Sequence, residues 1–486
     1  MRNEECKISN VGRIWKSIYP CHLERSSKVE YARASNENYA RERSIFLKTI
    51  VVLSDRFLTV VFQLGLALIF PFCVRNDRIT FIFLFLFATL SLNANTLTVC
   101  ETCTHKTIHS AITAANTNDT IEVKNGIYKE SPILITKSIK LRGIENPTLD
   151  GENKEHVVDI VSDDVVVDGF RIINSGVSDI REFAAIHVEN ARGCNLRNNI
   201  LENNVYGFYF AKVTDCMIEN NSSIGNAKDE ISGGNGIHLW SSSHFTIKKN
   251  RISKHRDGIY FEFSTELLIE ENKSFNSIRY GMHFMFASNN RFYKNHFYDN
   301  STGVAVMFSK NIQVKENLFE RSRDGSSYGV LVKDITDSEF TNNTFQDNTI
   351  GVAADNSTRN KFLSNRFLRN GWAFNIMGNC ESNEVRGNNF IGNVFDLSTN
   401  SRENLNTYDK NFWDAYKGFD LDRDGTGDKP YLPVRFFSYW VNIYPFLMVL
   451  FQSPVIEFLE IAERAFPVMT PVELKDKYPQ MKKFAL

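Results

Sequence analysis

The chain has 486 residues, and its 56 Lys and Arg balance 57 Asp and Glu to a net charge of -1. That balance excludes a broad nucleic-acid-binding face, which needs a basic excess, and 42% apolar with 23% charged residues excludes a mainly disordered chain. Phe is frequent at 39 residues against 5 Trp, and Asn is abundant, a bias that favours a stacked repeat over a mixed α/β enzyme.

Residues 1–44 are polar without a period, and Phe57 to Val74 forms an apolar run at the short limit for a bilayer span. Ile79 to Leu92 is a second apolar run, preceded by Arg75 and Arg78 and followed by Asn93, Ala94 and Asn95. This pattern reads as a secretory signal over residues 75–95, cut near Ala94, with 1–74 an extension or a start assigned too far upstream. A two-helix membrane anchor is the alternative. Both readings put the chain after residue 95 outside the cytoplasm. Next come Cys100 and Cys103 in CxxC spacing, with His105 and His109 nearby. In an exported chain that spacing suits either a metal or a disulfide staple, and the sequence leaves the two open. Lys106–Ala115 reads as an amphipathic helix that covers the first coil of a repeat region.

Residues 96–408 are periodic. The pattern apolar-x-x-Asn ends on Asn199, Asn221, Asn250, Asn272, Asn295, Asn317, Asn343, Asn365 and Asn388, at spacings of 22, 29, 22, 23, 22, 26, 22 and 23. Gly207, Gly236, Gly258, Gly281, Gly303, Gly329 and Gly351 form a second column, each opening a segment of period two. Asn204, Asn226, Asn300, Asn348, Asn370 and Asn393 form a third. Short strands at this spacing predict an all-β fold, a right-handed parallel β-helix with coils of about 22 residues. Asn at a fixed corner tolerates left-handed backbone and bonds up the stack.

Strand alternation then assigns faces. In the segment from Gly281, it sends Met282, Phe284 and Phe286 inward and His283 and Met285 outward. One outward column becomes His187, Tyr209, His238, Tyr260, His283, Ala305 and Leu331. The other becomes Glu189, Ala211, Trp240, Glu262, Met285, Met307 and Lys333. Insertions near Lys228–Gly234 and Ser322–Ser326 bracket these strands, as loops framing a site do. Thioether and imidazole donors suit soft Cu(I), so His283, Met285, Met307, Glu262 and His238 are the candidate copper ligands. An apolar docking patch is the competing reading of the same residues. A polysaccharide lyase, hydrolase or epimerase acting on uronic-acid polymers would need paired carboxylates in one groove, whereas Glu189 and Glu262 fall three coils apart, roughly 14 Å.

Over residues 409–433, Asp420, Asp422, Asp424 and Asp428 alternate around Gly425 like the start of a calcium loop, although Tyr431 stands where an EF-hand has Glu. A solvated Asp/Gly turn is the other reading. Residues 434–486 form an apolar tail. Its segment Pro454–Phe466 predicts an amphipathic helix, stopped by Pro467 and Pro471. The tail is expected to cover both the last coil and a membrane partner.

The run Asn235 to Ile312, with NGIHLWSSS, KHRDGIYFEFS, IRYGMHFMFASNNRFYKN and STGVAVMFSKNI, resembles the core of the NosD family. The stretch NFWDAYKGFDLDRDGTGDKPYLPVRFFSYW and the later SPVIEFLEIAERAFPVMTPV resemble that family's C-terminal region. The likeness spans roughly residues 96–481 and leaves out 1–74. It implies a non-enzymatic periplasmic copper-binding protein that helps mature the copper site of nitrous-oxide reductase. It also implies partners: an ABC transporter of ATPase and membrane subunits, through which the protein attaches to the inner membrane, the reductase itself, and a copper donor chaperone. The family supplies no ligand list, so the copper residues rest on the columns alone.

Overall fold

The computed structural model describes residues 94–485, except Asp179, Ser232, Arg402, Gln452 and 467–473. The candidate signal up to residue 93 and the run before it lie outside the described residues. Three parallel sheets of 14, 12 and 13 short strands wind around one core, with each coil adding a strand to successive sheets. The all-β parallel solenoid expected from the periodicity is therefore present, from Thr96 to Trp413.

In-register stacking explains the Phe bias. Phe297, Phe319, Phe345, Phe367, Phe390 and Trp413 form a continuous near-parallel stack with centroids 5.4, 5.0, 4.9, 4.7 and 4.1 Å apart. Each ring buries its face on the coil below, so one residue type repeats at one position.

The Asn column is a hydrogen-bond ladder. Asn221 Oδ1 accepts from the Asn199 amide at 2.9 Å, Asn250 from Asn221, and so on through Asn411. These side chains are buried. The left-handed backbone falls one residue earlier, on Asn198, Asn220, Lys249, Glu271, Lys294 and Glu316, with φ between 54° and 56°. Asn is thus fixed by its bonding up the stack, not by tolerance of the corner. Asn226 departs from the third column: it is exposed and donates to Asn203 in an outer row. Gly225 takes the inner position, where a Cβ would meet the Lys254 carbonyl at 2.5 Å.

Both ends of the stack are covered. Helix α1 (Ile108–Ala114) buries Ile108, Ala111 and Ile112 on the first coil. Glu130 accepts from the Ile108 and His109 amides, and Lys137 donates to the carbonyls of Ile112, Thr113 and Ala115, so both helix ends are satisfied. At the far end, α2 (Phe436–Ile443) packs Phe437 and Val441 against Phe395. Helix α3 (Pro454–Ala465) follows. Cys194 and Cys216, from adjacent coils, form a buried disulfide.

Candidate metal centre

The 12-stranded sheet carries both outward columns in the register read from the sequence. His187, Tyr209, His238, Tyr260, His283, Ala305 and Leu331 pair rung by rung. Glu189, Ala211, Trp240, Glu262, Met285, Met307 and Lys333 do the same one pleat along. Met282 and Phe284 point inward and are buried. Phe286 does not: it is 45% exposed, because the chain leaves the strand there at φ 53° and alternation no longer applies.

The histidines are outward but covered. His238 is 7% and His283 5% exposed. Rings continue along the column, with Tyr209–His238 centroids at 4.8 Å, His238–Tyr260 at 4.7 Å and Tyr260–His283 at 4.8 Å. Tyr280 covers His283 from the side at 4.8 Å. Burial pushes the Tyr209 and Tyr260 phenols up, so both stay neutral. Burial, with Arg256 nearby, pushes His238 down to about 3, so its ring is neutral and able to offer a lone pair.

Beside His283 lies a group that strand alternation missed. Asp257 is fully buried and takes two hydrogen bonds from Arg279, at 2.9 and 2.5 Å. Burial alone would raise its carboxyl; the bonds from Arg279, with His283 adding, hold it far below the usual range instead. Its Oδ2 lies 3.6 Å from His283 Nδ1, beyond hydrogen-bond reach. Both ring nitrogens of His283 and Nε2 of His238 are buried without a hydrogen-bond partner. A buried orphan of this kind calls for an explanation, and a ligand is one.

Met285 and Met307 pair directly across adjacent strands, and Glu262 pairs with Met285 on the other side. Burial pushes the Glu262 carboxyl up. His238 stands two rungs from His283 with Tyr260 between, so these two imidazoles do not share a position. Among the described residues, the one group of three His, Cys, Asp or Glu ligand atoms within 4.8 Å of one another is Asp420, Asp422 and Asp424. The five-residue copper set is therefore not gathered as a unit: His283, Met285 and Met307 are neighbours, Glu262 flanks them, and His238 stands apart.

Next to the thioethers runs an apolar ridge that sequence reasoning also missed. Phe263, Phe286 and Phe308 follow Glu262, Met285 and Met307, and stack at 5.3 and 5.0 Å while 52%, 45% and 40% exposed. All three hold left-handed backbone, φ 51° to 53°, where other coils place Lys212, Ser241 and Asp334. A bulky residue is disfavoured at that angle. Aligning this corner position would have exposed the signal.

The sequence matches the family described as Periplasmic copper-binding protein (NosD) over residues 112–233 and 228–418. A Probable ABC transporter binding protein NosD of Pseudomonas aeruginosa is 32% identical over 372 residues, covering 72% of this chain and 85% of that protein. The chain belongs to the NosD family. A second NosD relative, from Stutzerimonas stutzeri, is 29% identical over 196 residues, 37% of this chain and 44% of that protein. Among solved structures, the A-module of mannuronan C-5 epimerase AlgE4 from Azotobacter vinelandii is similar with a TM-score of 0.43 and 15% identity, covering 62% of this chain and 87% of that one. The Dettilon tailspike protein gives 0.47 and 14%, over 58% and 64%.

Two further features of this NosD-family chain lie beyond the columns. The acidic loop folds on itself: Asp420 accepts from the amides of Asp424 and Gly425, Asp424 from Thr426, and Asp428 from Leu421. Asp428 is not part of the three-carboxylate group. The tail exposes Phe446, Val449, Val455, Phe458, Ile461 and Phe466. In α3, Val455, Phe458 and Ile461 share one solvent face while Ile456 is buried. No helix among the described residues is long and apolar enough to cross a membrane.

Proposed function

We propose that this NosD-family protein takes Cu(I) as cargo on His283, Met285 and Met307 and hands it on during maturation of the copper site of nitrous-oxide reductase. One observation carries the reading: a buried imidazole with neither nitrogen hydrogen-bonded lies on the same strand face as two thioethers in register. Neutral nitrogen and soft sulfur suit Cu(I) better than any hard divalent ion. The anionic Asp257 3.6 Å from His283 favours a cation beside that ring. Glu262 flanks the thioethers, and His238, beyond Tyr260, is a separate donor one step along the column.

The relatives' names supply the partner class, an ABC transporter. In this reading the apolar tail docks on the transporter's membrane subunit and holds the protein at the inner membrane, while a copper donor chaperone loads it. The protein is an assembly factor and not a catalyst. The carboxylate that shares a column with Glu262, Glu189, is three rungs away, too far for either glycosidase geometry. Competition titration with a chromogenic Cu(I) chelator tests the reading. His283→Ala and Met307→Ala are expected to weaken Cu(I) at least about tenfold and to abolish reductase maturation. Full affinity in both variants overturns the site, and turnover of a uronic-acid polymer overturns the function.

A further inference from the structure

Cys100 and Cys103 form a disulfide that encloses only four residues of chain. The corner it spans is closed without it. The Cys100 amide donates to the His105 carbonyl at 3.1 Å, the Cys103 amide to the Cys100 carbonyl at 3.2 Å, and Val99 pairs with His105. The buried Cys194–Cys216 bond differs, since it joins two coils and both of its residues lie within the core. Cys100 and Cys103 are both partly exposed, so their sulfurs can be reached. A bond that closes a corner already closed, in a position open to a partner, is better explained by chemistry than by stability.

We propose that Cys100 and Cys103 are a redox-gated Cu(I) site. A dithiol reductant of the thioredoxin class attacks the disulfide and transfers two electrons and two protons to it. The S–S bond breaks, two thiols form, and the reductant becomes the disulfide. Cu(I) then displaces both thiol protons to solvent, two Cu–S bonds form, and the bis-thiolate complex carries one negative charge. The backbone bonds of the corner persist through reduction, so both sulfurs stay close enough for one ion. Soft thiolate pairs select Cu(I) or zinc; the choice of copper rests on the function proposed above. His109 Nδ1 engages Glu130 at 3.1 Å. His105 Nδ1 faces Ser110 Oγ at 3.3 Å.

This site is separate from the His283 group. In the sheet that holds Val99, eight rungs separate that strand from Arg291–Tyr293, the strand after Met285, roughly 38 Å at strand spacing. No single ion bridges the two. Full-length protein, oxidised or reduced by thioredoxin and its reductase, would be titrated anaerobically with Cu(I) against a chromogenic chelator, and in parallel with zinc. The reduced protein is expected to bind one more Cu(I) per chain than the oxidised one. Cys100→Ser/Cys103→Ser should lose that extra equivalent, and His283→Ala/Met307→Ala should keep it. Equal binding by oxidised and reduced protein overturns the proposal. So does an extra equivalent that survives in the double serine variant, or uptake of zinc without Cu(I). Undiminished Cu(I) binding by the oxidised His283→Ala/Met307→Ala variant would strike at the proposed function instead.

Discussion

Asp257 faces His283 across 3.6 Å while its carboxylate is held by both prongs of Arg279. The carboxylate is fully enclosed, and Arg279 keeps about a quarter of its side chain in solvent. Asp257→Asn leaves the guanidinium without its charge partner, which costs up to about 3 kcal/mol, the low end for breaking a buried pair. Asp257→Asn/Arg279→Gln removes both charges and should regain most of that loss in chemical denaturation. Cu(I) affinity is expected to stay weakened in both variants, because neither keeps an anion beside His283. Recovery of affinity along with stability would assign Asp257 a purely structural role.

Acid should destabilise the fold well above the carboxylate range. Burial pushes His238 down to about 3 and His255 to about 4. Both lie below the unfolded value near 6.5, so the native state binds fewer protons than the unfolded chain. Their contribution is complete above pH 6.5 and is lost as pH falls towards 4 and 3, at up to about 1.4 kcal/mol per pH unit for each ring. Asp396 opposes this, since burial and Asp414 push it up to about 7 and its stabilisation is lost as pH rises through that value. Denaturation midpoints at pH 7, 6 and 5 measure the slope. His255→Asn should flatten it by about one proton.

Asp476 ends the Asn ladder. Its Oδ2 accepts from the Asn411 amide and side chain and from Trp413 Nε1, at 2.9, 3.0 and 3.0 Å. Asp476→Ala leaves three buried donors open, each costing about 1–3 kcal/mol in desolvation unless water enters. Hydrogen exchange should show fraying confined to the coils near Asn388 and Asn411, with the Met285 coil still protected. Uniform loss of protection would mean that the solenoid does not unwind from its end.

How much the sequence disclosed depends on what each residue is locked to. The outward columns were legible because the repeat fixes register, and register fixes face. Asp257 was not, since it stands just before Gly258, where alternation breaks as the chain enters the strand. Phe286 failed at the strand's other end, for the same reason. Asp476 lies 65 residues from Asn411, and no local pattern connects the two. CxxC spacing alone left metal and disulfide open, and the structure has the disulfide.

The Phe263, Phe286 and Phe308 ridge should trade stability for contact. Each ring holds a left-handed backbone that costs roughly 1–2 kcal/mol, while exposed ring pairs return about 0.5–1.5 kcal/mol. Replacing all three by Asn, which tolerates the angle, should leave the thermal midpoint unchanged or higher. Reductase maturation is nevertheless expected to fall, because the ridge borders Met285 and Met307. A large drop in midpoint with normal maturation would make the ridge a structural stack only.

The tail offers the sharpest separation of docking from folding. Val455, Phe458 and Ile461 face solvent on α3, whereas Ile456 packs against Phe395 and α2. A truncation would also remove Asp476 and so confound the two roles. Phe458→Glu/Ile461→Glu keeps Asp476 and Ile456 and places two charges on the exposed face alone. Surface changes of this kind stay within about 0.5 kcal/mol of wild type, so the melting profile should not move. Burying those charges against an apolar membrane subunit would leave them unpaired. Co-purification with the transporter should therefore be lost, while Cu(I) titration of the isolated protein stays unchanged. If the double variant still co-purifies, the apolar face serves some other contact and the docking surface must be sought elsewhere on the solenoid.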